Sequence, residues 1–244
     1  MRILIIRHGD PNYKDDCLTE KGRKEAFFLS ERLKDEKIDY IYSSPLGRAY
    51  ETCMYTAKAK QMEKDVTVLP WLREFAYNVG EVEERGTPLV WDMLPSYWAN
   101  KAEMYDKEAW IQQDVFQKAN IEEYYNQVKD GVYSVLEKHG YVREGGFYKA
   151  VKPNKDTIAF FCHFGLEMIL LSVIFGVSPI PLLHHFAAAP TSVTTLYTEE
   201  RREGIALFRC TAFGDTGHLY AKGELPSFSA RFRETETCSE RKDP

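Results

Sequence analysis

The sequence predicts an α/β protein: a three-layer sandwich with a mostly parallel central sheet covered by helices, plus a small helical cap inserted near its middle. Two observations carry this prediction. Short, continuous apolar runs rich in β-branched residues, RILII at 2–6 and TIAFFC at 157–162, read as strands covered on both faces. Between such runs the apolar period lengthens to that of helices, and alternating strands and helices build a parallel, helix-covered sheet.

Taken in order, the first strand at 2–6 is followed by a helix from Thr19 to about Glu36. There Thr19 can cap the start, and Ala26, Leu29 and Leu33 share one face. IDYIYSS at 38–44 reads as a second strand, and PLGRAYETCMYTAKAK as a helix with Pro45 in its first turn. VTVLP at 66–70 reads as a third, short strand. Regular alternation then lapses between about 78 and 119, a stretch holding Trp91, Trp98 and Trp110 that reads as an insertion of short helices. Its aromatics are expected mainly as packing, with a minority at an entrance. IEEYYNQVKDGVYSVLEKHG forms an amphipathic helix with Ile121, Tyr125, Val128, Val132 and Val135 inward and Gly140 past its end. After TIAFFC comes a buried helix from Gly165, then a late pair of strands at 192–198 and 204–213. A polar tail begins at about 234. The expectation is one domain over 1–244, with no internal repeat.

Composition excludes several classes. The 244 residues are 44% hydrophobic, enough for a core, and the net charge is -5 with no basic stripe, so nucleic acid is not an expected partner. The apolar stretch after Arg2 is too short for a secretory signal. MILLSVIFGV at 168–177 is about half of a membrane span, so a soluble, cytoplasmic protein without membrane contact is expected. The five cysteines, widely spaced and odd in number, read as reduced thiols.

In sheets of this kind ligands bind beyond the carboxyl ends of the strands. Arg7 and His8 stand where the first strand stops, and His163 where TIAFFC stops. Arg48 lies in the first turns of the helix after the second strand, and Glu74 just after the third. These five converge on one edge. Two guanidiniums match the oxygens of a phosphoryl group, and a neutral imidazole can attack phosphorus and hold it. A second histidine, charged near the phosphate, can stabilise the transition state, and a carboxylic acid can protonate the leaving oxygen and then activate water. Glu81, Glu83 and Glu84 compete with Glu74 for the last role.

LIIRHGDPN, LTEKGRKEA, SSPLGRAYET, LREF, FFCHFG and FGDTGHL, in that order, resemble the motifs of the histidine phosphatase superfamily, also called phosphoglycerate-mutase-like. The resemblance runs from the first residues to about 230. It implies that His8 is the phosphorylated nucleophile, that Arg7, Arg48 and His163 bind the phosphoryl group, that Glu74 is the proton donor, and that Asn12 adds a polar contact. It further implies a phosphomonoester hydrolase of the histidine acid phosphatase type, acting on a phosphorylated small molecule without metal or organic cofactor. Two departures stand out. Asp10 replaces a usual Glu after Arg-His-Gly, and Phe164 follows the second histidine where glycine is usual.

Rival readings attach to other residues. Cys162 beside His163 suggests a Cys–His pair, but neighbours on a strand face opposite ways, and a buried core thiol is expected. Cys17 and Arg23 match a bare Cys-x5-Arg spacing without a phosphate cradle. His184, His185, Asp215 and His218 do not assemble a metal set at useful spacing, although His218 could line the pocket mouth. A mutase must hold a second anion, yet FAYNVGEVEER offers only Arg85 and MLPSYW no arginine. A non-catalytic phosphoryl-binding protein is the remaining alternative. It should have lost the nucleophile or the acid, and His8, His163, Arg7 and Arg48 are all present. The natural substrate and the oligomeric state are not legible.

Overall fold

The computed structural model describes residues 1–82 and 86–227. Glu83, Glu84, Arg85, the polar tail and Cys238 lie outside them. The first strand, β1 (Arg2–Arg7), has an almost wholly buried side-chain pattern. After the short hairpin β2 (Pro11–Asn12) and β3 (Cys17–Leu18) come α1 (Glu20–Leu33), β4 (Tyr40–Ser43), α2 (Gly47–Lys60) and β5 (Val66–Val68). The 78–119 stretch holds α3 (Pro95–Trp98) and α4 (Asp114–Gln117) among 3-10 turns, and α5 (Ile121–Lys138) follows. Then come β6 (Tyr141–Glu144), β7 (Phe147–Ala150), β8 (Thr157–Cys162), α6 (Phe164–Phe175), α7 (Pro179–His185), β9 (Val193–Arg202), β10 (Ile205–Asp215) and α8 (Gly217–Tyr220).

The sheet has eight strands in the order β5-β4-β8-β1-β9-β10-β7-β6. Its first four strands are parallel, as the apolar runs require. From β1 onward every pairing is antiparallel, so the sheet is mixed rather than mostly parallel. The alternation of side chains along β1 separates the layers. Leu4 and Ile6 face Leu29 and Leu33 of α1 and Cys53 and Ala57 of α2. Ile3 and Ile5 join the larger core with Val128 and Val132 of α5 and Met168 of α6. Helix α6 is buried on nearly every side, as its sequence, apolar but for Glu167 and Ser172, allows.

Several boundaries differ from the sequence reading. Helix α2 starts at Gly47 rather than in the turn of Pro45, because Asp16 Oδ2 accepts from the Gly47 N–H and Leu46 is still extended. The hairpin β6–β7 was not anticipated. Its signal is Gly145-Gly146 between two aromatic-rich runs, with Gly145 in the left-handed region at φ 57°. Helix α7 was also missed, since two prolines mask its short pattern. The insertion's tryptophans are buried: Trp98 packs on His184 and His185, and Trp110 on Phe116 and Tyr125.

Where the chain leaves β1, two glycines press together. A Cβ on Gly9 would lie 2.6 Å from the Gly22 carbonyl oxygen, and one on Gly22 only 2.2 Å from that of Asp10. This contact seats α1 against the turn after His8. Thr19 caps α1 by accepting from Gly22 N–H, and its hydroxyl donates to Asp10 Oδ2 at 2.7 Å. The shorter Asp10 thus serves the helix cap.

Candidate active site

Register places the chemistry. Arg7 pairs with Cys162 across β1 and β8, and the His8 N–H donates to the Cys162 carbonyl at 3.0 Å. His8 and His163 therefore leave the sheet side by side, with ring centroids 5.1 Å apart and planes tilted by 60°. Both are buried. The neighbouring strand β4 ends at Ser43, and Ser44 Oγ reaches His163 Nε2 at 2.8 Å. Arg48, in the first turn of α2, points its Nε at His8 Nε2, 3.3 Å away. Arg7 is fully buried, with Nη1 donating to the Ala188 carbonyl at 2.6 Å.

The hydrogen bonds assign the tautomers. His8 Nδ1 lies 2.7 Å from the Gly9 carbonyl, which can only accept, so Nδ1 carries the proton and Nε2 the lone pair. Burial, then Arg7 and Arg48, hold its pKa well below the ordinary histidine value. Nε2 is therefore unprotonated and faces the arginines. Ser44 Oγ accepts from Leu46 N–H and lies 2.8 Å from His163 Nε2; with the hydroxyl donating, the ring proton sits on Nδ1. Nδ1 has no hydrogen-bond partner among the described residues, so it is available as a donor. Burial, then His8 and the arginines, push the His163 pKa well below 6.5.

Glu74 follows a 3-10 turn (Pro70–Leu72), and its Oε1 accepts from the N–H groups of Phe75 and Leu166 at 2.9 and 3.0 Å. Burial raises its pKa against the opposing pull of Arg7 and these hydrogen bonds. With Oε1 committed, Oε2 is the oxygen left to carry a proton. Gly165 is required here, since a Cβ would meet the Trp91 ring at 2.4 Å and Glu74 Oε1 at 2.9 Å. Phe164, the departure noted in the sequence, packs edge-on against Trp91 and under the Arg7 guanidinium. Trp91 thereby brings the insertion up to Gly165, beside Glu74. Of the competing acids, Glu81 is exposed, and Glu83 and Glu84 lie outside the described residues.

Five of the six expected site residues come together. Asn12 does not. Its side chain closes its own turn, accepting from Lys14 and Asp15 N–H and donating to Asp15 Oδ2 at 2.9 Å. This is the usual local bonding of an Asn at a turn. Its neighbour Tyr13 reaches in instead, with the hydroxyl bonded to Arg7 and the ring under the Arg48 guanidinium at 5.3 Å. Asp16, Ser44, Thr52 and Tyr13 were missed. Ser44 and Thr52 lay within SSPLGRAYET, one histidine contact and one Gly9 contact away from recognition.

Cys162 is buried with its thiol pKa raised well above the usual range, so it is core rather than nucleophile. Arg23 pairs with Glu51, not with Cys17. His218 has its Nε2 3.0 Å from Thr191 Oγ1, while Thr191 N–H donates to the His8 carbonyl. It borders a separate 440 Å³ groove with Phe28, Arg32 and Asp215.

The family model for the histidine phosphatase superfamily (branch 1) matches residues 3–211, so it spans every one of these site elements. The chain belongs to the histidine phosphatase superfamily. Curated relatives include phosphoserine phosphatase 1 of Hydrogenobacter thermophilus, 35% identical over 72 residues, covering 26% of this chain and 34% of that one. Another is a probable phosphoglycerate mutase of Erwinia tasmaniensis, 31% identical over 94 residues, covering 35% and 42%. The matched part is therefore well under half the length of each. Two solved structures share the fold. The Entamoeba histolytica phosphoserine phosphatase in complex with 3-phosphoglyceric acid has a TM-score of 0.58 at 19% identity, covering 89% of this chain and 98% of that one. A mycobacterial glucosyl-3-phosphoglycerate phosphatase has a TM-score of 0.57 at 18% identity, covering 87% and 98%. Among the described residues no helix is long and apolar enough to cross a membrane.

Proposed function

We propose that this histidine phosphatase superfamily member is a phosphomonoester hydrolase working by phosphohistidine chemistry of the histidine acid phosphatase kind. The observation that carries the reading is the His8 tautomer: a carbonyl holds Nδ1–H, which leaves the Nε2 lone pair facing the arginine cradle. In the first step Nε2 attacks phosphorus and the P–O ester bond breaks. Glu74 Oε2 passes its proton to the departing oxygen. In the second step water attacks phosphorus, the Glu74 carboxylate takes its proton, the P–N bond breaks and phosphate leaves. Arg7, Arg48 and His163 Nδ1–H hold the equatorial oxygens throughout, where charge neutralisation is the main source of rate.

The substrate class is a phosphorylated small molecule. Phosphoserine and 3-phosphoglyceric acid, bound in structural relatives, are the first to try. A cytoplasmic setting, one domain over the whole chain and a cap role for the 78–119 insertion complete the proposal.

The test is phosphate release by the full chain from an aryl phosphate and a panel of phosphorylated metabolites, with acid-labile labelling of His8. Isomerised phosphoglycerate in place of released phosphate would make it a mutase. Binding without turnover would leave a phosphoryl-ligand binding protein.

A further inference from the structure

The phosphate arginine Arg48 is held by a residue outside the family motifs quoted above. The β2–β3 hairpin turns at 13–16, and Asp16 stands in the left-handed region at φ 47°, a conformation that Asp tolerates better than most residues. Its carboxylate is shared. Oδ1 accepts from Arg48 Nη1 at 2.6 Å, and Oδ2 accepts from the Gly47 N–H at 2.7 Å. The backbone is locked in the same place, because a Cβ on Gly47 would lie 2.1 Å from the Asp16 carbonyl oxygen.

A guanidinium on a long side chain has many rotamers, and a planar fork is useful only when its roll is set. Here three contacts set it: Asp16 on Nη1, His8 Nε2 opposite Nε, and Tyr13 beneath the plane. Among the described residues, no hydrogen bond takes Nη2 or the second Nη1 proton, which are then left for an anion. The simpler alternative is that Asp16 merely caps α2 through Gly47. That account explains Oδ2 but gives Oδ1 no purpose.

We infer that Asp16 is a positioning residue, which orients Arg48 over His8 so that the cradle binds the phosphoryl group. The inference rests on the phosphoryl-transfer reading of the site and deepens it.

Asp16→Asn separates the two accounts. Asn also tolerates the left-handed turn and keeps an oxygen for the Gly47 N–H, but it loses the anion facing Arg48. Orthophosphate affinity, read by titration calorimetry, should fall about tenfold, and kcat/KM for an aryl phosphate about 10- to 100-fold, as misplaced catalytic groups do. The melting temperature should stay within about two degrees. In an Arg48→Ala background, Asp16→Asn should change either quantity less than about twofold, since residues acting through one another are not additive.

Unchanged or tighter phosphate binding in Asp16→Asn overturns the inference, and so does a full second loss in the Arg48→Ala background. Because orthophosphate binding needs no turnover, the two readings fail separately. A wild-type chain that binds phosphate in an Asp16-dependent way yet hydrolyses nothing refutes only the hydrolase. Normal hydrolysis by Asp16→Asn refutes only the positioning role. A wild-type chain that binds no phosphate refutes both.

Discussion

The two halves of the sheet are built on different terms. In β5-β4-β8-β1 all strands run one way, so their carboxyl ends share one edge. His8, Ser44 and His163 gather there from segments far apart in sequence. In β9-β10-β7-β6 successive strands run oppositely, and one face is left to solvent with Tyr197 and Leu207 exposed. What the region before β9 gives the site is backbone: the Ala188 and Ser192 carbonyls take Arg7, and Thr191 N–H holds the His8 carbonyl. Direction of chain travel, more than local composition, decides which half can collect reactive side chains.

The largest test of that contrast is His8→Ala, expected to lower kcat for an aryl phosphate by at least about 10⁴, as loss of a nucleophile does. Retained turnover would move the chemistry elsewhere on the protein. Glu74→Gln should cost about 10²- to 10⁴-fold in kcat, with a smaller effect on substrates whose leaving group departs without a proton. An equal loss on both kinds of substrate would remove the acid role.

The pH profile sharpens the same pair. His8, depressed well below 6.5, stays neutral and nucleophilic as the pH falls through 6.5. Glu74, raised above its ordinary value, keeps its proton to higher pH and loses it only as the pH rises through that elevated pKa. The rate should therefore hold on the acid side and decline on the alkaline side, and the alkaline limb should vanish in Glu74→Gln. An acid limb near 6.5 would contradict the buried, neutral nucleophile.

Core and surface variants finish the comparison. Ile5→Ala, in the fully buried middle of β1, should destabilise by about 3 kcal/mol in chemical denaturation. Leu207→Ser, on the open face of β10, should change stability by no more than about 0.5 kcal/mol and leave turnover intact. A rate loss in Leu207→Ser would show that the antiparallel half does more than support.

The parallel half was legible because burial on both faces forces long apolar runs, and each run ends abruptly at a charged or imidazole residue. RILII before Arg7-His8 and TIAFFC before His163 are of this kind. The antiparallel half was harder. Alternating strands such as β7 carry a weaker signal, and the Gly145-Gly146 turn was the only clear mark of its hairpin. Asn12 misled because a polar residue beside a site can equally close its own turn, and which of the two it does depends on neighbours that only the fold supplies.

By itself the sequence determined the layered α/β class and the residues able to carry phosphoryl chemistry, since apolar period and residue type are local properties. Tertiary structure alone decided that Arg48 is anchored by Asp16, that Tyr13 rather than Asn12 reaches Arg7, and that burial lowers the pKa of both histidines. Those outcomes depend on distances between segments, and on the loss of solvent around a charge when the segments close over it.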